Sequence, residues 1–288
     1  MTMRYKTDTA YRTALEERLR QRAEQDGEPI LRLRKRVVFE RCMVRLQQDK
    51  NSPWVLKGGF ALELRLGNAA RMTKDLDLTV DLGYFGAAMV TVSKLSDRMR
   101  EDLRKDNDDR FAFRVTEGSE EELPTQGVKS YRFSVEARLD GRIFERITVD
   151  VGAGDPLIPP LEEVKGSDLL SFAGISVPTI RVTSRAQHFA EKVHALTRPF
   201  DDRINTRVKD LADLMLFTER GPPQPGEVKV AVTEIFGNRK THEVPSRIEI
   251  PPATWSNSYS AMAAQLNLNE RTIESATSRL NDYWKTIF

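Results

Sequence analysis

One stretch most constrains what this chain can fold into. It runs Trp54-Val55-Leu56, then Lys57-Gly58-Gly59, then Phe60 to Leu66, and reaches Asp75 to Val80 nine residues on. Three apolar residues ending in a glycine pair predict a short buried strand and a tight turn. Phe60 to Leu66 reads as a helix starting on that turn. Asp75 to Val80 alternates polar with apolar residues, the period of a half-buried strand. Asp75, Asp77 and Thr79 therefore share one face, and Leu76, Leu78 and Val80 take the other.

This strand-turn-helix-strand order carries a chemical expectation. A helix N-terminus behind glycines leaves backbone N–H groups free to hold a phosphate, so Gly58 and Gly59 are candidate phosphate ligands. Lys57 suits the same phosphate as a point charge. Carboxylates at i and i+2 on one strand lie about 6.6 Å apart along the backbone, close enough to converge on one hard cation. Magnesium, with manganese as a substitute, binds typically through one or two such carboxylates plus substrate phosphates. Alone, an Asp-x-Asp pair is more often a solvent-facing stripe. The glycine turn upstream changes the balance.

Further along, Val128 to Leu139 and Ile143 to Val151 read as strands joined by Asp140-Gly141, a pair suited to the positive φ angles of a two-residue hairpin turn. Thr148 and Asp150 face away from Ile147, Val149 and Val151, so Asp150 supplies a third carboxylate from a sheet face. It either completes a metal site with Asp75 and Asp77 or accepts the proton of an attacking hydroxyl. Arg65 and Arg71, between the turn and the carboxylates, are placed to reach a triphosphate or to be solvated.

The remaining pattern suggests two lobes. Helices are expected at Tyr11 to Glu24, Ile30 to Leu46 and Phe85 to Lys105, and a strand at Phe111 to Thr116. Asp155 to Pro178 is loop-rich, with Pro156, Pro159 and Pro160, and puts the lobe boundary near residue 155. Residues 1–155 then form N-terminal helices plus a catalytic core, and 156–288 a mainly helical lobe. Ser184 with Gln187 resembles a capping box opening a helix to Leu196, followed by a second helix over Thr206 to Glu219. With 39% hydrophobic and 31% charged residues the chain is of ordinary globular composition. Cys42 is its one cysteine, which excludes an internal disulfide, and the polar N-terminus and lack of long apolar runs argue against a membrane and for the cytoplasm. The net charge of +2 is the difference of 45 basic and 43 acidic residues, so a nucleic-acid partner depends on how the arginines cluster.

The stretch KGGFALELRLGNAARMTKDLDL, Lys57 to Leu78, resembles the signature of the AbiEii/AbiGii family of nucleotidyltransferase toxins, within the polymerase-beta-like nucleotidyltransferase superfamily. A second block, AEKVHALTRP (Ala190 to Pro199) with RVKDLADL (Arg207 to Leu214), is similar to the family's later motif. Length, N-terminal helices and helical C-terminal lobe look closest to its MenT-type toxins. The resemblance implies an α/β (α+β) fold, a mixed sheet flanked by helices, and functional roles for Lys192 and Asp210, with Lys192 also touching the nucleotide. From the residues alone, Lys192 would be a surface lysine on the side of its helix away from Phe189, Val193 and Leu196. Asp210 and Asp213 would pair locally with Arg207 or Lys209.

The implied activity is magnesium-dependent transfer of a nucleoside monophosphate from an NTP to the 3′ end of tRNA, which blocks aminoacylation and translation. The implied setting is a type IV toxin–antitoxin system with a cognate antitoxin. The catalytic set becomes Asp75, Asp77, Asp150, Lys192 and Asp210, and the phosphate-binding set Lys57, Gly58, Gly59, Arg71 and Lys192. The alternatives are a protein or small-molecule acceptor, or a nucleotide-binding module without catalysis.

Overall fold

A computed structural model describes residues 5–85, 90–121, 129–199 and 205–288. Residues 86–89 of the expected helix and Val128 at the start of the expected strand lie outside the described residues. A seven-stranded mixed sheet has the order β3-β4-β5-β2-β1-β7-β6. Its strands are β1 (Trp54–Leu56), β2 (Asp75–Val80), β3 (Ala112–Glu121), β4 (Lys129–Leu139), β5 (Arg142–Ala153), β6 (Glu162–Lys165) and β7 (Thr179–Val182). β2 runs parallel to β5 and β1 parallel to β7; the other neighbours are antiparallel.

Helices α1 (Asp8–Asp26), α2 (Ile30–Leu46) and α4 (Val92–Leu103) stack on the apolar side of the sheet, where Leu76, Leu78, Phe133 and Val149 are buried with Val38 and Met99. The hairpin turn forms as its residues predict: Asp140 and Gly141 take φ of 54° and 67°. Helix α3 (Gly58–Leu66) splices two cores. Phe60 and Ala61 belong to the sheet's core, whereas Leu62 packs into a second core built by α5 (Arg185–Thr197), α6 (Val208–Arg220), α7 (Pro225–Arg239), α8 (Ser256–Gln265) and α9 (Ile273–Trp284).

Core membership moves the lobe division. The segment read as loop after residue 155 contributes β6 and β7 to the sheet, and Leu170, Ile180 and Val182 sit in the first core. Apart from Leu62 and Ala70 the second core is drawn from Ala186 onward, so beyond α3 the change of core falls between Val182 and Ala186. Strands of four residues flanked by prolines leave too little periodicity to stand out from a loop. At the start of α5 only half of the expected capping box forms. Ser184 Oγ accepts from Gln187 N at 3.1 Å, while the Gln187 side chain donates to Pro156 O at 3.1 Å and accepts from Ile158 N at 3.0 Å. Gln187 thus ties the linker to α5. Among the described residues no helix is long and apolar enough to cross a membrane.

Candidate active site

The site grows from the register of two parallel strands. Asp77 on β2 lies directly beside Asp150 on β5, which sets adjacent carboxylates on strands spaced about 4.8 Å apart. Asp77 is held from the other side by the glycine turn. Gly59 N–H donates to its Oδ2 at 3.3 Å, and Lys57 N–H donates to its backbone oxygen at 2.9 Å. Gly58 has φ +65°, and a Cβ there would lie 2.1 Å from Asp77 Oδ2. A Cβ on Gly59 would lie 2.7 Å from Thr73 Oγ1. The glycine pair therefore has a packing reason: no side chain fits between α3 and the acidic strand.

Charge around Asp77 is incompletely balanced. Burial raises its pKa to about 6; Lys57 opposes the rise and Asp150 adds to it. Asp150 is engaged by Arg132, whose Nε and Nη2 donate to its two oxygens at 2.8 and 3.0 Å. A cavity of about 420 Å³ opens in front of the pair. Asp77, Asp150, Lys57 and Gly58 form its sheet wall, and Lys192, Asp210, Glu191 and Arg207 its helical wall.

The helical wall is a compensated network. Lys192 Nζ lies 3.0 Å from Asp210 Oδ1 and 2.7 Å from Asp213 Oδ2, and Arg71 forks onto Asp213 at 2.9 to 3.2 Å. Burial works to lower the Lys192 pKa, but Asp213 and Asp210 outweigh it and hold it above its ordinary value. Lys192 is 7% exposed, so it is not the surface lysine that its helix position suggests. The acids of α6 supply what the helical period could not reveal.

Other predicted residues sit elsewhere. Asp75 is half-buried one pleat away, beside Thr148, and neither it nor Gly59 lines the cavity. Arg71 is spent on Asp213 rather than lining the cavity. Arg65 is solvated by nothing: its side chain is buried against Glu162 at 3.0 Å and the Thr183 carbonyl.

Several functional candidates are new. Asp155, just past β5, is buried and accepts from Arg239 Nε and Nη2 at 2.8 and 2.6 Å, with Lys57 Nζ 3.5 Å away. Burial alone would raise the Asp155 carboxyl, but Arg239 and Lys57 pull it down to about 2. Burial likewise opposes the Lys57 charge, and Glu191 and Asp155 hold its pKa above the ordinary value. Arg239 also donates from Nη1 to His194 Nδ1 at 3.2 Å, and arginine cannot accept. His194 is therefore the acceptor on Nδ1, and its Nε2 faces Thr241 Oγ1 at 2.8 Å. Burial, with Arg239 and His242, drives its pKa down to about 3, so the ring is neutral. Asp155 lies five residues past Asp150 and was in principle visible; Arg239, 84 residues beyond Asp155, was not.

The donor set fits a divalent cation. Among the described residues no three acidic, histidine or cysteine side chains already converge on one point. Two neighbouring hard oxygen donors suffice for magnesium, which fills its other positions with water and substrate phosphate. Burial, and after it the charge of Asp150, raises the Asp77 pKa, and a bound cation would relieve both.

Comparison with known proteins places the chain in a family and matches its fold. The profile of the family described as "Nucleotidyl transferase AbiEii toxin, Type IV TA system" matches residues 41–285. Among solved structures, the chain is similar to MenT4, a nucleotidyltransferase toxin from Mycobacterium tuberculosis H37Rv. The TM-score is 0.61 at 18% identity, over 96% of this chain and 89% of that one. An antigenic nucleotidyltransferase-like protein from Paracoccidioides brasiliensis aligns with a TM-score of 0.35 at 14% identity, over 74% and 95% of the two chains. No curated protein matches.

Proposed function

We propose that this chain, which belongs to the AbiEii family of nucleotidyltransferase toxins of type IV toxin–antitoxin systems, transfers a nucleoside monophosphate from an NTP to the 3′-hydroxyl of tRNA. The observation that carries the reading is the single cavity in which Asp77 and Asp150 face the Lys192–Asp210 pair. A nucleotidyltransferase must neutralise a triphosphate and deprotonate a hydroxyl within a few ångströms of each other. Acidic and basic walls around one space meet both needs.

Lys57 and Arg239, both held by Asp155, are the cations that face the leaving pyrophosphate. Lys192, kept charged by Asp210 and Asp213, steadies the phosphate under attack. Asp150 takes the proton of the acceptor hydroxyl once Arg132 turns from it to the acceptor's phosphate. Asp77 and Asp150 would hold a magnesium ion, which would supply further charge neutralisation when bound. Asp77 remains fixed by the Gly59 N–H throughout.

Transfer to tRNA would prevent aminoacylation and stop translation in the cytoplasm, and the cognate antitoxin would counter it. The test is incubation with total RNA, lysate protein, magnesium and each labelled NTP in turn. Label in tRNA that disappears in Asp77→Asn and Lys192→Ala is the expected result. Label confined to protein, or none with any NTP, overturns the reading.

A further inference from the structure

A second cavity, of about 240 Å³, adjoins the first in the helical lobe. Arg198, the residue just past α5, lines both. The far wall is the segment from Pro245 to Trp255, which carries three prolines at 245, 251 and 252. This wall is set in place before any ligand arrives. Asn281 clamps Ile248 on both sides, accepting from its N–H and donating to its carbonyl at 2.9 Å each. Trp284 Nε1 donates to Pro245 O at 3.0 Å, and Trp255 Nε1 donates to Asn205 O at 2.8 Å. With its N–H committed, the Trp255 ring offers only apolar surface.

We infer that this cavity is an acceptor subsite, which receives an unpaired base of the RNA strand next to the hydroxyl that reacts in the first cavity. This rests on the nucleic-acid acceptor proposed above. Size separates the two spaces. A cavity of about 420 Å³ is within the usual range for a whole small molecule, roughly 300 to 1,000 Å³, and takes the NTP. The 240 Å³ neighbour falls below that range and suits one base.

Its chemistry suits a base as well. Leu196, Ile248, Pro251 and Trp255 give a flat ring an apolar bed, and Asn205, fixed by the bond from Arg207 N to its Oδ1 at 2.9 Å, presents its amide Nδ2 as a donor to the ring's edge. Arg198 and Arg247 outnumber Glu249, the one acid in the wall, as the flanking phosphates require. Ile250, which lines the cavity and is 53% exposed, can cover a base stacked there.

The test uses the full chain and two substitutions at exposed positions outside the catalytic cavity, Ile250→Asp and Arg247→Glu. Binding of a five-nucleotide single-stranded RNA with a free 3′-hydroxyl is followed by calorimetry and by tryptophan fluorescence, since Trp255 lines the site. Each substitution is expected to weaken that binding about tenfold and to raise KM for the RNA acceptor by a similar factor, while KM for NTP stays unchanged. A rise in KM for NTP instead assigns the cavity to the incoming nucleotide and overturns the inference. Variants that bind and label RNA as wild type does overturn it while the acceptor class stands. Wild-type protein that neither binds nor labels RNA removes the acceptor reading and this inference together. Thermal unfolding of both variants, expected to match wild type, excludes a folding defect.

Discussion

Two carboxylates feel the charge of Lys57 and are driven in opposite directions. Asp77, on the sheet wall, is pushed up to about 6, because burial and its neighbour Asp150 outweigh Lys57. Asp155, at the junction with the helical lobe, is drawn down to about 2, because Arg239 and Lys57 outweigh the same burial. Asp155 has its countercharges already, so its work is to hold the lobes and their cations together. Asp77 lacks them, and that deficit marks where a ligand's positive charge belongs. The difference between a structural and a reactive acid is whether the fold itself completes the pairing.

Asp77→Asn tests the comparison most severely. It should cut NTP-dependent labelling of RNA by about a thousandfold, as losses of catalytic carboxylates commonly do. Stability should not suffer, since the amide removes a carboxylate that burial disfavours. Retained labelling, or a marked fall in the unfolding midpoint without added cation, breaks the assignment.

Asp155→Ala should behave the other way. Removing one partner of a buried ion pair leaves Arg239 charged and unpaired, at a cost of about 3 to 5 kcal/mol, read as a lower midpoint in urea. A loss under about 1 kcal/mol would mean that Asp155 is not the joint between the lobes. Gly58→Ala sharpens the same contrast by disturbing Asp77 alone. At φ +65° with Asp77 Oδ2 2.1 Å from the new Cβ, the carboxylate must move, and labelling should fall about a hundredfold. The protein should still fold.

The reactive half of this picture was readable from local pattern, and the structural half was not. Alternation placed Asp75 and Asp77 on one face, and the Asp-Gly hairpin placed Asp150 on its own, because strand period and turn chemistry act within a few residues. The pairing of Asp77 with Asp150 depends on which strands become neighbours. Lys192 looked exposed because its three charged neighbours come from elsewhere in the chain: Asp210 and Asp213 from α6, and Arg71 from the loop before β2. Asp155 and Arg239 meet only after β6, β7, α5 and α6, which lie between Asp155 and α7, have packed. Periodicity also overreached: it set Asp75 and Asp77 as equals, yet only Asp77 lines the cavity.

Glu40 isolates burial from pairing and so calibrates the comparison. It lies on α2, 3% exposed, and accepts from Ser167 N and Oγ at 2.7 and 3.0 Å, with no direct ion pair among the described residues. Burial raises its pKa from 4.5 to about 7, with the Ser167 hydrogen bonds and then Arg41 and Arg36 opposing. The folded protein thus binds a proton that the unfolded chain releases near pH 4.5. Its contribution to stability is full below that value and is lost as pH rises to about 7. The shift corresponds to about 3 kcal/mol at pH 8. Glu40→Gln removes that penalty and weakens the bonds from Ser167 by about 1 kcal/mol, a net gain of about 2 kcal/mol at pH 8 and none at pH 4. Urea unfolding at the two pH values measures it. If Glu40→Gln and wild type change in parallel, burial of a carboxylate without a cation is not what costs this fold stability, and the same explanation fails for Asp77.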